Sequence, residues 1–535
     1  MDAGTRHSPG IRRSDVLTAL AVAVCALAVY APLVAPTLTW RNVGGDGGDL
    51  AAAVAVLGVP HPSGYPTYML LGRFFSTALP WGDIAYRLNL MSAVLSAAAA
   101  GALYLAARLL QELTFKPDAG GPRTRRAIAA IGALAYAFAP LPWSQATITE
   151  VYALHAFFAS AVLLCTLGLL HSVSFASSPR STSAWLIAGA LATGLGLGNH
   201  LTLALVAAPG FFLALALRRR IPGAVMAPSA LLAGLTVYAY LPWRAAANPP
   251  VNWGDASNLA GFLWVVTGEP YRNYVFGLPA SALPARVASY AGYLVQQFNP
   301  VGFGLAVVGL AFLWTYNRTL ALLTLWGTLF ISVFAVLYST PDSYLYLLPV
   351  FMVMALWLVA GLHYLVADVL APRLAARRMS RTGPALAIAL ALAVVPGVSL
   401  VTQYAAQDLR ADTSALDYAR EVVATVEPNA LVVAQTERHE FTLVYYQQAV
   451  DSLWPVTLVS AELVQYDWYV AQLHRRYPDL PAPTEKDYAA RLRGLVAAAL
   501  PVRPVYLTDP NEHIEAAYVI EKRGPLYRVT GPKSR

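Results

Sequence analysis

Apolar runs of roughly 17 to 25 residues recur along the chain, beginning near positions 15, 87, 127, 150, 183, 201, 222, 291, 319, 344 and 384. That is about the length at which a helix crosses the ~30 Å hydrocarbon layer of a membrane. The pattern predicts a mostly α, polytopic helical membrane protein with about eleven spans. Two further apolar segments, 50–59 and 66–79, are too short to span and predict helices lying along the outer interface, where they would shape a groove at lipid depth. After about residue 403 the pattern changes. Strand-like runs such as Leu431–Ala434 and Val505–Leu507 alternate with amphipathic segments at 412–426 and 461–476, which predicts a small α/β domain. The chain therefore divides into a transmembrane domain, 1–402, and a soluble C-terminal domain, 403–535. No internal period marks a repeat array.

Charge fixes the orientation. Lys and Arg collect at the N-terminus (Arg6, Arg12, Arg13), at Lys116–Arg126, at Arg218–Arg220, at Arg318 and at Arg373–Arg381. One topology places all of them in the cytoplasm, as the positive-inside rule requires. The N-terminus is then cytoplasmic. Segments 39–86, 143–149, Gly198–His200, the long loop 243–290, 339–343 and the tail are exoplasmic, in a membrane of the bacterial inner (plasma) type. The first run follows basic residues but is long and precedes many others, so it reads as a retained helix rather than a cleaved signal. A hydrophobic content of 57% with 12% charged residues makes the bilayer this protein's main solvent. The net charge of +8 does not imply nucleic acid, because the basic residues are scattered between apolar runs rather than gathered in one stripe. Both cysteines, Cys25 and Cys165, lie inside apolar runs, which excludes a disulfide framework and a cysteine-based metal site.

Ionisable residues are expensive near a membrane and mark functional sites. Here they gather on the outer side. The first outer loop carries Trp40-Arg41-Asn42-Val43-Gly44-Gly45-Asp46-Gly47-Gly48-Asp49 and then Pro60-His61-Pro62-Ser63-Gly64-Tyr65-Pro66. Glycines around the aspartates let backbone turn sharply with positive φ and approach a ligand closely. Asp46 and Asp49, three residues apart, can face one pocket as general base and partner, although Asp49 also suits the N-cap of a helix starting near Leu50. Glu150, Tyr152 and His155 stand at the mouth of the next span, and Asn199 and His200 occupy another outer turn. Glu150 and His155 are spaced poorly as a metal pair, and no metal is expected. In the long loop, Arg244 sits at the outer end of a helix, where a guanidinium can clamp a phosphate or meet lipid headgroups. Asn252, Trp253 and Asp255 follow it, and Asp342, Tyr344 and Tyr346 complete the outer cluster. No P-loop, dinucleotide fingerprint, HExxH or CxxC motif is present, so no soluble nucleotide or other cofactor is expected.

Taken together, Gly45-Asp46-Gly47-Gly48-Asp49-Leu50, Leu57-Gly58-Val59-Pro60-His61-Pro62-Ser63-Gly64-Tyr65-Pro66, Thr149-Glu150-Val151-Tyr152, Gly198-Asn199-His200 and Asn252-Trp253-Gly254-Asp255 resemble a family of multi-spanning proteins formerly of unknown function. Its eukaryotic members look like endoplasmic-reticulum protein O-mannosyltransferases. The resemblance covers about residues 15 to 350. It implies a GT-C glycosyltransferase fold, a polyprenyl-phosphate sugar donor bound in the membrane, and a first-loop carboxylate, Asp46 or Asp49, acting as base. The family usually has Glu at the position of Asp49, so the side chain here is one methylene shorter, which favours Asp46. The implied reaction is an inverting displacement by a Ser/Thr hydroxyl of an exported protein. In it Arg244 would hold the lipid phosphate, Glu150 would position the acceptor, and His61 and Tyr65 would line the donor cleft.

Other readings compete. Transfer to a lipid or surface glycan would use the same site. A lipid or polyol transporter would normally place its site near the bilayer midplane between two related halves, whereas this cluster is one-sided and no halves repeat. A sensor or scaffold that binds through its tail would leave the Gly-Asp loop unexplained.

Overall fold

The computed structural model describes residues 10–116, 121–221, 223–370, 372–373, 382–452, 454–480 and 485–533. Arg6 and the basic stretch 374–381 lie outside the described residues. Helices α1 (Arg13–Tyr30), α2 (Gly47–Val56), α3 (Pro66–Ala78) and α4 (Ile84–Thr114) are followed by α5 (Gly121–Ala137), α6 (Pro140–Gln145) and α7 (Tyr152–Ser174). Then come α8 (Pro179–Leu197), α9 (Leu203–Leu217), α10 (Met226–Leu235), α11 (Tyr240–Ala245), α12 (Leu259–Val266), α13 (Leu283–Tyr316), α14 (Arg318–Leu337) and α15 (Leu348–His363).

Among the described residues seven helical segments are long and apolar enough to cross a membrane: Arg13–Leu33, Ile84–Thr114, Tyr152–Ser174, Ala280–Tyr316, Arg318–Leu337, Ser343–Leu370 and Leu386–Gln403. The chain is an integral membrane protein. The four other expected spans coincide with α5, α8, α9 and α10, which are helical but shorter or less apolar. The Ser343–Leu370 segment is the centre of the bundle, with 94% of its most apolar window buried. It crosses α13 at a pair of glycines: a Cβ on Gly309 would overlap the Trp357 carbonyl, and one on Gly361 the Leu305 carbonyl. Small residues at such crossings let helix backbones approach without a hydrophobic drive between them. Helix α4 packs against α1 and α7. Towards its C-terminal end buried Arg108 bonds Asp15 of α1 at 3.0 Å and Glu112 at 3.2 Å, while Arg125 of α5 reaches Glu112 at 3.3 Å.

The tail carries a five-stranded sheet of order β2-β1-β3-β5-β4: β1 Leu431–Ala434, β2 Thr457–Ser460, β3 Val505–Leu507, β4 Tyr518–Arg523 and β5 Leu526–Pro532. Strand β1 pairs in parallel with β2 and β3, and β5 runs antiparallel to β3 and β4. Both runs read as strands from the sequence are strands. The two amphipathic segments contain the helices Ser414–Thr425 and Asp467–Arg476. The last membrane helix ends at Gln403, yet the tail is not a separate body. The Leu409 amide donates to the Leu33 carbonyl at 3.0 Å, Thr39 bonds Asp412, and the helix Glu437–Tyr445 lies across α2.

That contact changes one expectation. α3 keeps an exposed apolar edge at Leu70 and Phe74, as an interfacial helix would, but every residue of α2 from Gly47 to Val54 is buried. The tail helix occupies the side that was expected to face the interface.

Candidate functional site

The first outer loop is built by close packing. Positive φ falls on Asn42 (58°) and Val43 (63°), and none of Gly44, Gly45, Gly47 and Gly48 uses it. The glycines serve proximity instead. A Cβ on Gly47 would stand 2.9 Å from the Thr149 carbonyl oxygen, and one on Gly48 would overlap the Phe441 backbone of the tail helix. This fixes the start of α2 between the Thr149–Val151 turn and the tail.

Asp49 is not the cap of α2. The helix begins at Gly47, and Asp49, 1% exposed, lies in its first turn. Its Oδ2 accepts from the His61 backbone N–H at 2.8 Å and from His61 Nδ1 at 2.7 Å, and its Oδ1 accepts from the Trp253 indole at 3.2 Å. Trp253 arrives because the outer loop zips onto residue 59: the Val59 amide donates to Val251 at 2.9 Å, and the Trp253 amide to Val59 at 3.0 Å. Asn252, 3% exposed, sits in that zip. Asp255 caps a turn through Ser257 at 2.8 Å and stands outside the carboxylate cluster.

His61 is the hub. Its Nε2 lies 3.6 Å from Asp46 Oδ2 and 3.2 Å from the Tyr65 hydroxyl, which donates to the Pro62 carbonyl at 3.1 Å. Its ring stacks on Phe441 at 6.0 Å and meets Trp253 edge-on at 6.2 Å. Burial alone would lower the imidazole's pKa, but the carboxylates of Asp46 and Asp49 outweigh it and raise it to about 9. Asp46 holds the N-cap position of α2 without capping it. Its side chain is 42% exposed. Enclosure by the surrounding protein, with Asp342 and Asp49 adding to it, pushes its carboxyl above the usual range against the pull of His61.

Glu150 lies beside Asp46 and is 2% exposed, and its Oε1 has no hydrogen-bond partner among the described residues. Burial, then the Asp46 charge, raises its pKa well above that of an ordinary carboxyl. Asn199 ties this turn down by donating to the Val151 carbonyl at 3.0 Å. One step deeper, His200 bonds the Thr202 hydroxyl at 2.7 Å and packs between Tyr152 (5.7 Å) and Tyr346 (5.6 Å). Asp342 heads the turn that leads to Tyr346 and acts on both Asp46 and Glu150.

Arg244 is placed differently from the rest. Its Nε donates to the Leu57 carbonyl at 2.7 Å, and its guanidinium lies over the Trp243 ring at 5.2 Å. It caps the far end of the ten-residue α2, about 15 Å along the axis from Asp46. The arginine near Asp342 is Arg286, which donates to the Thr340 carbonyl at 3.0 Å and bonds Ser343. It borders a crevice of about 170 Å³ walled by Tyr290, Tyr293, Tyr344, Val336 and Leu347.

The tail adds residues that no motif announces. Phe441 is one. Glu437, a turn earlier on the same helix, is raised to about 7 by burial and by Asp46, with His61 opposing. Nothing in the residue spacing of the helix Glu437–Tyr445 points to a partner about 400 residues away.

Comparison with known proteins places these observations. The family described as the protein O-mannosyl-transferase TMEM260 N-terminal domain matches residues 46–224. The mouse protein O-mannosyl-transferase TMEM260 is 26% identical over 487 residues, covering 88% of this chain and 66% of the mouse protein. Its counterpart from Dictyostelium discoideum is 23% identical over 316 residues, covering 56% of this chain and 37% of that protein. The chain thus spans less than two thirds of the length of either relative. Among solved structures, ArnT from Cupriavidus metallidurans bound to undecaprenyl phosphate superposes with a TM-score of 0.58 at 14% identity, covering 97% of this chain and 98% of that one. The fold is the GT-C type that the sequence motifs imply.

Proposed function

We propose that this protein is a membrane glycosyltransferase that moves a hexose such as mannose from a polyprenyl-phosphate donor to a Ser/Thr hydroxyl of an exported protein. The O-mannosyl-transferase relatives support the reaction class and the protein acceptor. The observation that carries the mechanism is the division of labour between the two first-loop aspartates. Asp49 is enclosed by donors, so it orients His61. Asp46 is open to the cleft with a raised pKa, the property of a general base.

In this reading Asp46 takes the proton from the acceptor hydroxyl as its oxygen attacks the anomeric carbon. The bond from that carbon to the donor phosphate breaks on the opposite face, and the configuration inverts. The His61 imidazolium, held between Asp49 and Asp46, keeps Asp46 ionised against the cost of enclosure. Glu150, Tyr65, Tyr152, His200 and Asp342 surround the sugar and the acceptor. Arg286, with its crevice of tyrosines and aliphatic side chains, fits the phosphate and first isoprene units better than Arg244, whose Nε is committed to α2. By the positive-inside rule the site faces the exoplasm of a bacterial-type plasma membrane, with the N-terminus cytoplasmic.

The test is transfer of labelled sugar from polyprenyl-phosphate mannose and glucose to candidate acceptor proteins. Asp46→Asn is expected to lower kcat by about 100-fold or more while donor binding is kept. Full transfer by this variant would overturn the assignment. Arg286→Ala is expected to weaken donor binding by about tenfold or more, and Arg244→Ala to act mainly on stability.

A further inference from the structure

Beside the Trp253–Phe441 ring pair lies a crevice that meets the transfer machinery at Asp49. Asp49 lines it together with Asn252 and Trp253, Glu440 of the tail helix, and Trp468, Gln472 and Arg476 of the helix Asp467–Arg476. It offers about 90 Å³, well beyond the roughly 10–15 Å³ that a single water needs.

Its polar groups have unmet capacity. Asn252, 3% exposed, donates its amide to the Ala245 carbonyl at 3.3 Å, while its Oδ1 has no partner among the described residues. The Trp468 indole N–H has none either. Glu440 accepts from the Ser460 hydroxyl at 2.7 Å, and burial raises it to about 8, so at neutral pH it is an uncharged acid able to donate. Rings stand beside these groups: Trp468 lies 6.4 Å from Trp253 and 5.4 Å from Trp264.

We propose that this crevice is a carbohydrate-binding site adjoining the transfer centre, taking one pyranose unit against Trp468 with its hydroxyls on Asn252, Glu440 and Gln472. Unpaired buried donors and acceptors are costly, and a sugar hydroxyl, which both donates and accepts, satisfies each kind. The aromatic wall takes the C–H face of the ring. An extended peptide would instead need its partners spaced along a groove at about 3.3 Å per residue, whereas these groups converge from three segments. On the transferase reading, the occupant is a sugar already carried by the acceptor. It touches Trp253 and Phe441, the two rings that flank His61, so occupancy bears on the reaction centre.

The experiment is saturation-transfer NMR on the purified full-length chain with methyl α-D-mannopyranoside and methyl α-D-glucopyranoside, without lipid donor. Saturable binding of at least one glycoside is expected, weakened about tenfold or more by Trp468→Ala and unchanged by Asp46→Asn. Trp468→Leu, with thermal unfolding of each variant, guards against loss of fold. Absence of binding by both glycosides overturns the proposal. So does binding that survives both Trp468 variants and disappears with Asp46→Asn, which would put the sugar in the transfer cleft. A Ser/Thr-rich peptide that binds through Trp468 when neither glycoside does would also overturn it. Glycoside binding through Trp468 in a protein that transfers no sugar would uphold the crevice and sink the transferase assignment alone.

Discussion

Asp46 and Asp49 stand one helical turn apart and have opposite surroundings. Asp49 accepts from His61 and Trp253 and is sealed, while Asp46 faces the cleft. Asp49→Asn is therefore expected to loosen His61 and lower both stability and kcat, whereas Asp46→Asn lowers kcat in a protein of near-normal melting temperature. The pH profile of kcat/KM is expected to be bell-shaped. Its acid limb lies above the ordinary carboxyl range because Asp46 must lose its proton, and its basic limb near 9 reflects loss of the His61 charge. Stability carries the same signature. His61 has a folded pKa of about 9 against an ordinary 6.5, so its contribution is complete below about 6.5 and is lost as pH rises through about 9. Thermal unfolding of wild type and His61→Gln across that window measures it, and parallel curves would refute it. The first-loop residues were legible in sequence because they share one short stretch. The enclosure of Asp49 was not, since it depends on an indole 204 positions away.

At the level of elements, α2 shows what hydropathy conveys and what it omits. Its apolar composition was read correctly as a short outer helix, but the covering surface comes from the tail, so the face that looked interfacial is buried. Gly48 measures that contact. Gly48→Ala adds a methyl where Phe441 backbone already lies and is expected to cost about 1–3 kcal/mol and to reduce transfer without altering any carboxylate. Unchanged melting and activity would mean that the two helices separate freely. At the α1–α4 ion cluster, Arg108→Ala leaves buried Asp15 without its cation while Glu112 keeps Arg125, at a cost of about 3–5 kcal/mol read as a lower melting temperature in detergent. The expected number of spans illustrates the same limit: α9 and α10, at 15 and 10 residues, are shorter than a full span, though each is helical where the apolar runs predict.

Across the whole molecule, sequence pattern divides the chain near residue 403; the long apolar helices precede that point and the mixed sheet follows it. Function does not respect the division. Removing residues 404–535 takes away Phe441 and Glu437 and uncovers α2, so the shortened chain is expected to lose transfer altogether. Normal activity from it would show that the tail serves only to recruit acceptors. The motifs made the membrane half recognisable because their residues meet within a few loops. The tail's share was hidden because its contacts join segments far apart in sequence through ordinary packing. The meeting of Gly48 with Phe441 also imposes an order of birth. A ribosome makes the Gly-Asp loop well before the tail helix, so a nascent chain carries its carboxylates unassembled until Phe441 has been added. Activity then requires the chain to extend past that helix, and products cut short before it are expected to stay silent.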